Sequence, residues 1–543
     1  MHDVTTSSKL RGFMENLKYD FTASIVVFLV ALPLSMGIAI ASGVPEDKAA
    51  AVGIATAILG GLLVGALSGC PLQVSGPAAG LAVFVGQIIA QHGFAALGMV
   101  VTIAGLVQLA AGAFRLGPWF RAVSPAVIQG MLAGIGVLIF ASQFHVMVDD
   151  QPPGTGKAFG GLVNLATIPG AVWRGVTQEA HQAAAAIGLL MIVSIAIWPR
   201  IAPRKLAWLP AALFGVLVTA SVATVFQFQV KYIEVPDNLL EALSWPSAGA
   251  WLSLVSWPIL GAGLALAFIA SAESLLTATA ADAMQQHAPR TKYDREIIAQ
   301  GVGNLVCGLL GLLPMTGVIV RTSANIQSGA RTRLSSMLHG VWLLLFAFLL
   351  PNILRKIPVS ALAAILVYTG CKLINPKSVR ELARYGKGEV AIYAATLVTV
   401  VFVDLLSGIL VGIGLAAGQL LYRFSHLTIR VEDQPERNRR VLYLEGAATF
   451  IRLPKLAAAL QEAPPGTELH VHMEELTYVD HACLDLLMNC QKQLAARGGN
   501  LIIDWESLTL KFRQEAANGK NGNSTTAKPS VSPPVEAAVR QAG

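Results

Sequence analysis

Two charged residues stand in stretches otherwise too apolar to hold them. Arg321 falls in Leu313-Pro314-Met315-Thr316-Gly317-Val318-Ile319-Val320-Arg321-Thr322-Ser323, between two long apolar runs. Lipid offers no hydrogen bonds, so chain at that depth with a helix breaker, a glycine and hydroxyls must line a cavity or be covered by protein. A charge there is a functional candidate. The residues predict an extended lead-in over Leu313 to Val318, then a short helix from Ile319. Its N-terminal amides and positive dipole end face inward with Arg321 in the first turn, and the chemistry is anion binding. Val320 and Thr322 flank the arginine and share that candidate role. The competing reading is an arginine that snorkels to the interface or braces a helix pair.

Glu273 is the second such charge, and the run from Leu264 to Thr279 around it is apolar or small. A carboxylate there must be protonated, paired or ion-bound. Arg321 is its nearest plausible partner. Glu273 could then exchange a proton as the anion comes and goes, or share a sodium ion with Thr277, four residues on along one helix face, and with backbone carbonyls. A static Glu–Arg pair that only fixes the fold is the alternative. A second interrupted stretch, Val74-Ser75-Gly76-Pro77-Ala78, offers Ser75, Gly76 and Ala78 as residues that leave backbone amides open to a ligand; a tight helix crossing would use the same small residues. Ser35 and Ile38, beside the Leu32-Pro33 break, complete the candidate pocket.

These residues need membrane helices to position them. Of 543 residues 54% are hydrophobic and 13% charged, which excludes a soluble globular chain. Fourteen apolar spans are expected at 20–42, 49–67, 76–91, 95–114, 122–143, 182–198, 208–228, 257–280, 294–312, 319–329, 333–351, 358–374, 389–405 and 408–424. The first run is too long for a signal peptide and stays as a membrane helix. One set of alternate loops holds fifteen lysines and arginines and the other six, which puts the first set and both termini in the cytoplasm of a multi-pass inner (plasma) membrane protein. The net charge of +7 is dispersed over short loops, an argument against nucleic-acid binding. The five cysteines show no paired spacing and predict no disulfide.

The chain repeats its interruptions. About forty-five residues after Pro33 and after Glu273 come the two broken stretches, before the third and tenth spans. Matching breaks in halves of seven spans predict an inverted 7+7 repeat with substrate at the midplane. Residues 1–18 form a cytoplasmic segment and 19–426 the membrane domain. Residues 430–515 form a soluble α/β domain, with strands at 440–444, 468–473 and 500–505, helices at 454–461 and 480–497, and a parallel sheet. Residues 516–543 read as a disordered tail.

Other features take plainer readings. His92, His145, His181 and His339 lack metal-ligand spacing, and no metal site is expected apart from a sodium ion near Glu273. Gly154-Thr155-Gly156-Lys157 lacks the remaining residues of a phosphate loop, so neither ATP hydrolysis nor a cofactor is expected. Asp282, Arg290, Lys292, Asp294, Arg295 and Glu296 read as a solvated interfacial cluster.

The chain resembles the SulP anion-transporter family from about residue 12 to 512. The stretches that carry this are Ala31-Leu32-Pro33 with Ala39-Ile40-Ala41-Ser42-Gly43-Val44; Val74-Ser75-Gly76-Pro77; Ser124-Pro125-Ala126-Val127-Ile128-Gln129-Gly130; Asp294-Arg295-Glu296 with Gln300-Gly301-Val302-Gly303-Asn304; and Arg321-Thr322-Ser323. The soluble part resembles a STAS domain, with Thr477-Tyr478-Val479-Asp480 at its strand-to-helix turn. The resemblance implies a homodimer with cytoplasmic STAS domains. It also implies an elevator in which a core domain (spans 1–4 and 8–11) carries the anion past a gate domain (spans 5–7 and 12–14). Arg321 matches the family's anion-coordinating arginine, absent from many bacterial relatives. Glu273 matches its proton- or sodium-linked acidic position. Leu34 and Ile38 replace polar or aromatic positions, so that wall is apolar. His481 and Ala482 follow Asp480 where sporulation regulators carry a phosphorylated serine, so that control is not expected.

The expected function is secondary active transport of a small inorganic oxyanion, bicarbonate or sulfate, with Arg321 and the two helix N-termini binding the anion and Glu273 with Thr277 binding H+ or Na+. Analogy with bacterial relatives tilts the choice toward bicarbonate and makes carbonic anhydrase a candidate STAS partner. An uncoupled exchanger or channel, a transporter of small dicarboxylates, and a non-transporting sensor are the alternatives. The chain is not expected to be an enzyme.

Overall fold

The computed structural model describes residues 2–120, 124–155, 157, 159–203, 206, 209–235, 256–286, 288–434, 436, 438–464 and 466–504, with backbone alone for 2–15, 119–120 and 477. The expected tail and residues 505–515 of the soluble domain lie outside the described residues. The chain divides into two compact units, Met1–Ala416 and Ala417–Gly543.

The first unit holds sixteen principal helices among the described residues. They are α1 (His2–Ala41), α2 (Glu46–Leu59, continued by a π-helical turn over Gly60–Val64), α3 (Ala79–His92), α4 (Phe94–Ala113), α5 (Pro125–Met147), α6 (Gly160–Thr177), α7 (Glu179–Ile201) and α8 (Ala211–Val225). There follow α9 (Trp257–Met284), α10 (Tyr293–Leu309), α11 (Ile319–Gln327), α12 (Leu334–Leu349), α13 (Val359–Leu373), α14 (Pro376–Ala383), α15 (Lys387–Phe402) and α16 (Leu405–Phe424). Each expected span overlaps one of these helices. Among the described residues eight helical segments are long and apolar enough to cross a membrane alone, while α3, α8 and α12 are apolar but shorter. Two helices escape the hydropathy reading. In α6 the exposed Val172, Trp173 and Val176 alternate with polar positions around Pro169. The short α14 is started by Asn375, whose side chain accepts from the Lys377 N–H, with Pro376 at its first position. Residues 2–18 continue as helix into the membrane span, because α1 runs unbroken from His2.

Small side chains let these helices approach closely. The buried core of the unit draws on Ala31, Ala39, Ala50, Ala57, Ala104 and Ala270 beside Leu97, Ile135, Leu266 and Leu366. The membrane unit is not wholly helical. The two interrupted stretches form β1 (Ser75–Pro77) and β2 (Met315–Gly317), paired antiparallel as Ser75↔Gly317, Gly76↔Thr316 and Pro77↔Met315. Each stretch satisfies peptide groups that apolar surroundings would leave bare. Val318 N–H adds a bond to the Val74 carbonyl at 2.9 Å. Because the ribbon is antiparallel, α3 leaves one end of it and α11 the other.

The second unit is a four-stranded sheet in the order β3 (Leu427–Gln434), β4 (Arg439–Ala448), β5 (Glu468–Val479), β6 (Asn500–Ile503). The β4–β5–β6 part is parallel, as strand–helix–strand order requires. The sequence reading omitted β3, which pairs antiparallel with β4 and starts three residues before the expected boundary at 430. Helices α17 (Leu453–Gln461) and α18 (His481–Ala496) cover one sheet face, burying Leu456, Leu460 and Leu487 against Leu442, Leu469, Val471 and Met473.

Candidate functional site

The ribbon is held by side chains from α9 and α10. Asn304 takes both backbone groups of Met315: its carbonyl accepts the N–H at 2.7 Å and its amide donates to the C=O at 3.0 Å. The Asn304 amide also donates to Gln108 at 2.8 Å. Ser274 accepts from Gly317 N–H at 3.1 Å, and Thr277 donates to Gly317 C=O at 2.9 Å. Gln300 donates to the Ser75 hydroxyl at 2.7 Å and to Glu296 at 2.9 Å. Glu296 is 0% exposed and also accepts from the Ser68 hydroxyl, the Gly69 and Cys70 N–H groups and the Gln73 amide. This corrects the reading of Glu296 as part of a solvated cluster: it binds the turn that leads into β1.

Arg321 lies inside this frame, 0% exposed. Its Nη2 donates to Ser35 Oγ at 3.0 Å and to the Pro77 carbonyl at 3.3 Å. Its Nε and Nη1 are buried and have no hydrogen-bond partner. Among the described residues no carboxylate lies within 4.0 Å of the guanidinium, so the expected Glu273–Arg321 pair is not formed. The two charges lean on neighbouring glycines instead. A β-carbon on Gly76 would sit 2.3 Å from Arg321 Nη1, and one on Gly80 would sit 2.8 Å from Glu273 Oε1. A larger residue at either position would force that side-chain end to move. Glu273 is partly exposed.

The candidate residues divide accordingly. Arg321, Gly76 and Ser35 meet. Ala78 is buried at the start of α3, and neither α3 nor α11 has a side chain capping its N-terminus. Leu81 N–H turns back to the Ala78 carbonyl at 3.1 Å, and no side chain takes the amides before it. Ile38 is buried on α1, one turn beyond Ser35. Three candidates are tied to the scaffold. The Ser75 hydroxyl receives Gln300, the Thr277 hydroxyl is bound to Gly317, and the Thr322 hydroxyl accepts from Val74 N–H at 3.1 Å. Val320 is 44% exposed, beside the buried Arg321. The sequence reading missed Asn304, Gln300 and Glu296 as positioning residues; their i, i+4 spacing along one face of α10 was the available signal. A cavity of about 720 Å³ lies at the far end of α3, lined by Gln87, Gln91, His92, Ser142 and Asn164, and does not include Arg321 or Glu273.

Comparison with known proteins adds the following. A model of the Sulfate permease family matches residues 17–396, and one of the Mlab, STAS domain matches residues 431–509. The chain is 29% identical over 524 residues to YvdB of Bacillus subtilis, covering 92% of this chain and 93% of the relative. It is 29% identical over 431 residues to the bicarbonate transporter BicA of Picosynechococcus sp., covering 76% of this chain and 71% of BicA. In fold it is similar to the transmembrane domain of a cyanobacterium bicarbonate transporter BicA, with TM-score 0.58, 24% identity and coverage of 72% of this chain and 97% of that one. It is also similar to the murine Slc26a9 anion transporter in the inward-facing state, with TM-score 0.71, 13% identity and coverage of 90% and 85%.

Proposed function

The chain belongs to the sulfate permease family of membrane anion transporters and carries a C-terminal STAS domain, and from that premise we propose that it is a secondary active transporter of a small inorganic oxyanion, bicarbonate or sulfate, with Arg321 at the anion site. One observation carries this reading: a fully buried guanidinium has two unbonded nitrogens, no carboxylate partner among the described residues and two uncapped helix starts beside it. A buried cation without a counter-charge is costly, and an anion would supply that charge and the missing acceptors. Glu273, held near Gly80 in the first turn of α3, takes the coupling ion, H+ or Na+.

The antiparallel ribbon supports the inverted repeat. It ties α3 to α11, while Asn304, Gln300 and Ser274 tie both to α9 and α10. We read α1–α4 with α9–α12 as the core that moves against α5, α7, α8, α13, α15 and α16. The inner membrane, cytoplasmic termini, a homodimer and a cytoplasmic partner for the STAS domain, such as carbonic anhydrase, complete the reading.

The test is uptake of labelled bicarbonate and labelled sulfate into proteoliposomes, each under an imposed inward proton or sodium gradient, with Arg321→Ala beside the unmodified protein. Accumulation of one anion on one gradient, lost in the variant, supports the reading. Exchange or leak without accumulation overturns coupled transport in favour of an exchanger or channel.

A further inference from the structure

We propose that the sheet face of the C-terminal unit turned away from α17 and α18 carries a transition-metal site formed by His472, Glu474 and Asp504. Side chains alternate along a strand, so the burial of Val471 and Met473 in the helix-covered core turns His470, His472 and Glu474 to the opposite face. The β5–β6 pairing ends at Val471↔Ile503, which makes His472 and Asp504 the next rung of the ladder. One ligand atom from each of His472, Glu474 and Asp504 lies within 4.8 Å of the others. Tetrahedral zinc, with ligand bonds of about 2.1 Å, holds its ligand atoms roughly 3.4 Å apart. Metal binding would draw the three ligand atoms together to that spacing.

The imidazole is oriented for the task. Tyr443, the β4 partner of His472, stacks on it with ring centroids 5.2 Å apart and planes 14° apart. The stack limits how far the imidazole can turn. One imidazole and two carboxylates suit Zn²⁺, Co²⁺ or Mn²⁺ with water completing the shell. A second imidazole stands nearby: His470 Nε2 is buried without a hydrogen bond and lies 3.4 Å from Glu468. The ion would join β5 to β6 across their open ends.

The full-length protein in detergent, stripped with chelator and dialysed against Zn²⁺, should retain about one equivalent per chain. Co²⁺ in its place should give a visible absorption band of an imidazole-ligated ion. His472→Ala and the isosteric Glu474→Gln and Asp504→Asn, the first exposed and the second partly exposed, should each weaken binding at least tenfold. His481→Ala, an exposed histidine at the start of α18, should leave it unchanged. Retention below one equivalent, or retention unaffected by Glu474→Gln and Asp504→Asn in chains with unaltered far-ultraviolet circular dichroism, overturns the proposal.

Discussion

The Arg321 guanidinium rests on the backbone of Gly76, so closely that a β-carbon at that glycine would lie 2.3 Å from Nη1. The glycine is therefore part of the proposed anion site although it contributes no side chain. Gly76→Ala should push the guanidinium off its contacts with Ser35 and Pro77, at about 1–3 kcal/mol for an overpacked site. Gly80→Ala should press on Glu273 instead. Isothermal titration with the transported anion should show roughly ten-fold or greater loss for Gly76→Ala. Accumulation assays should show weakened coupling for Gly80→Ala. Identical defects in the two variants would mean that Arg321 and Glu273 do not act separately.

Replacing Arg321 should have opposite effects on binding and on stability. With no anion present the guanidinium is buried and uncompensated. Arg321→Met should then raise the unfolding temperature, by a stabilisation on the order of 1 kcal/mol or more, while abolishing the shift that substrate produces. In the unmodified protein, substrate at a hundred times its Kd should add about 2.7 kcal/mol. A destabilised Arg321→Met would mark the arginine as a brace rather than a ligand.

Glu273→Gln keeps size and hydrogen bonding but removes the charge. Anion exchange between equal compartments should persist, and uphill accumulation on the gradient should disappear. Intact accumulation would remove Glu273 from the coupling step.

The positioning residues should fail differently. Asn304→Ala strips two hydrogen bonds from Met315 and one from Gln108, each worth about 1 kcal/mol net and more where a buried group is orphaned. The expected result is lower thermal stability and a weaker anion Kd together. Glu296→Ala, which orphans the Gly69 N–H and takes an acceptor from the Gln73 amide, should be the more damaging of the two when folded yield is measured by size-exclusion chromatography.

In the C-terminal unit Asp480 caps α18, accepting from Cys483 N–H at 2.9 Å, and it also receives Phe450 N–H. Burial opposes its charge, but the N–H groups of Cys483, Phe450 and Ala482 outweigh that and hold the carboxyl below its ordinary value. A carboxylate with a depressed folded value stabilises at pH above its unfolded value, and the contribution is lost as pH falls. Asp480→Ala should cost about 1 kcal/mol at neutral pH. The difference should shrink below about pH 4, as read by urea unfolding of the full chain across pH.

Much of this arrangement was legible because charge in an apolar run is conspicuous. Arg321, Glu273 and the breaks at Ser75–Pro77 and Met315–Gly317 all stand out against their surroundings. The ribbon did not, because three residues per strand leave no alternation to read. Ser75, Thr277 and Thr322 looked like ligands because a hydroxyl near a pocket reads the same whether it faces substrate or backbone. Glu296 looked solvated because its partners, Ser68 to Gln73, lie more than 220 residues away in the chain. Strand β3 escaped notice because its outer positions, Arg430 and Glu432, are exposed and polar.

The contact between Val74 and Thr322 joins residues 248 positions apart. At about 5–20 residues per second of synthesis, the first stretch waits roughly 12 to 50 seconds for its partner. Through that interval the backbone from Val74 to Pro77 has no β2 to pair with, in surroundings that tolerate no bare peptide group. Biogenesis therefore passes through a half-made protein whose first ribbon strand is open, and a ribosome paused before residue 315 would leave that segment exposed to the quality-control machinery of the membrane.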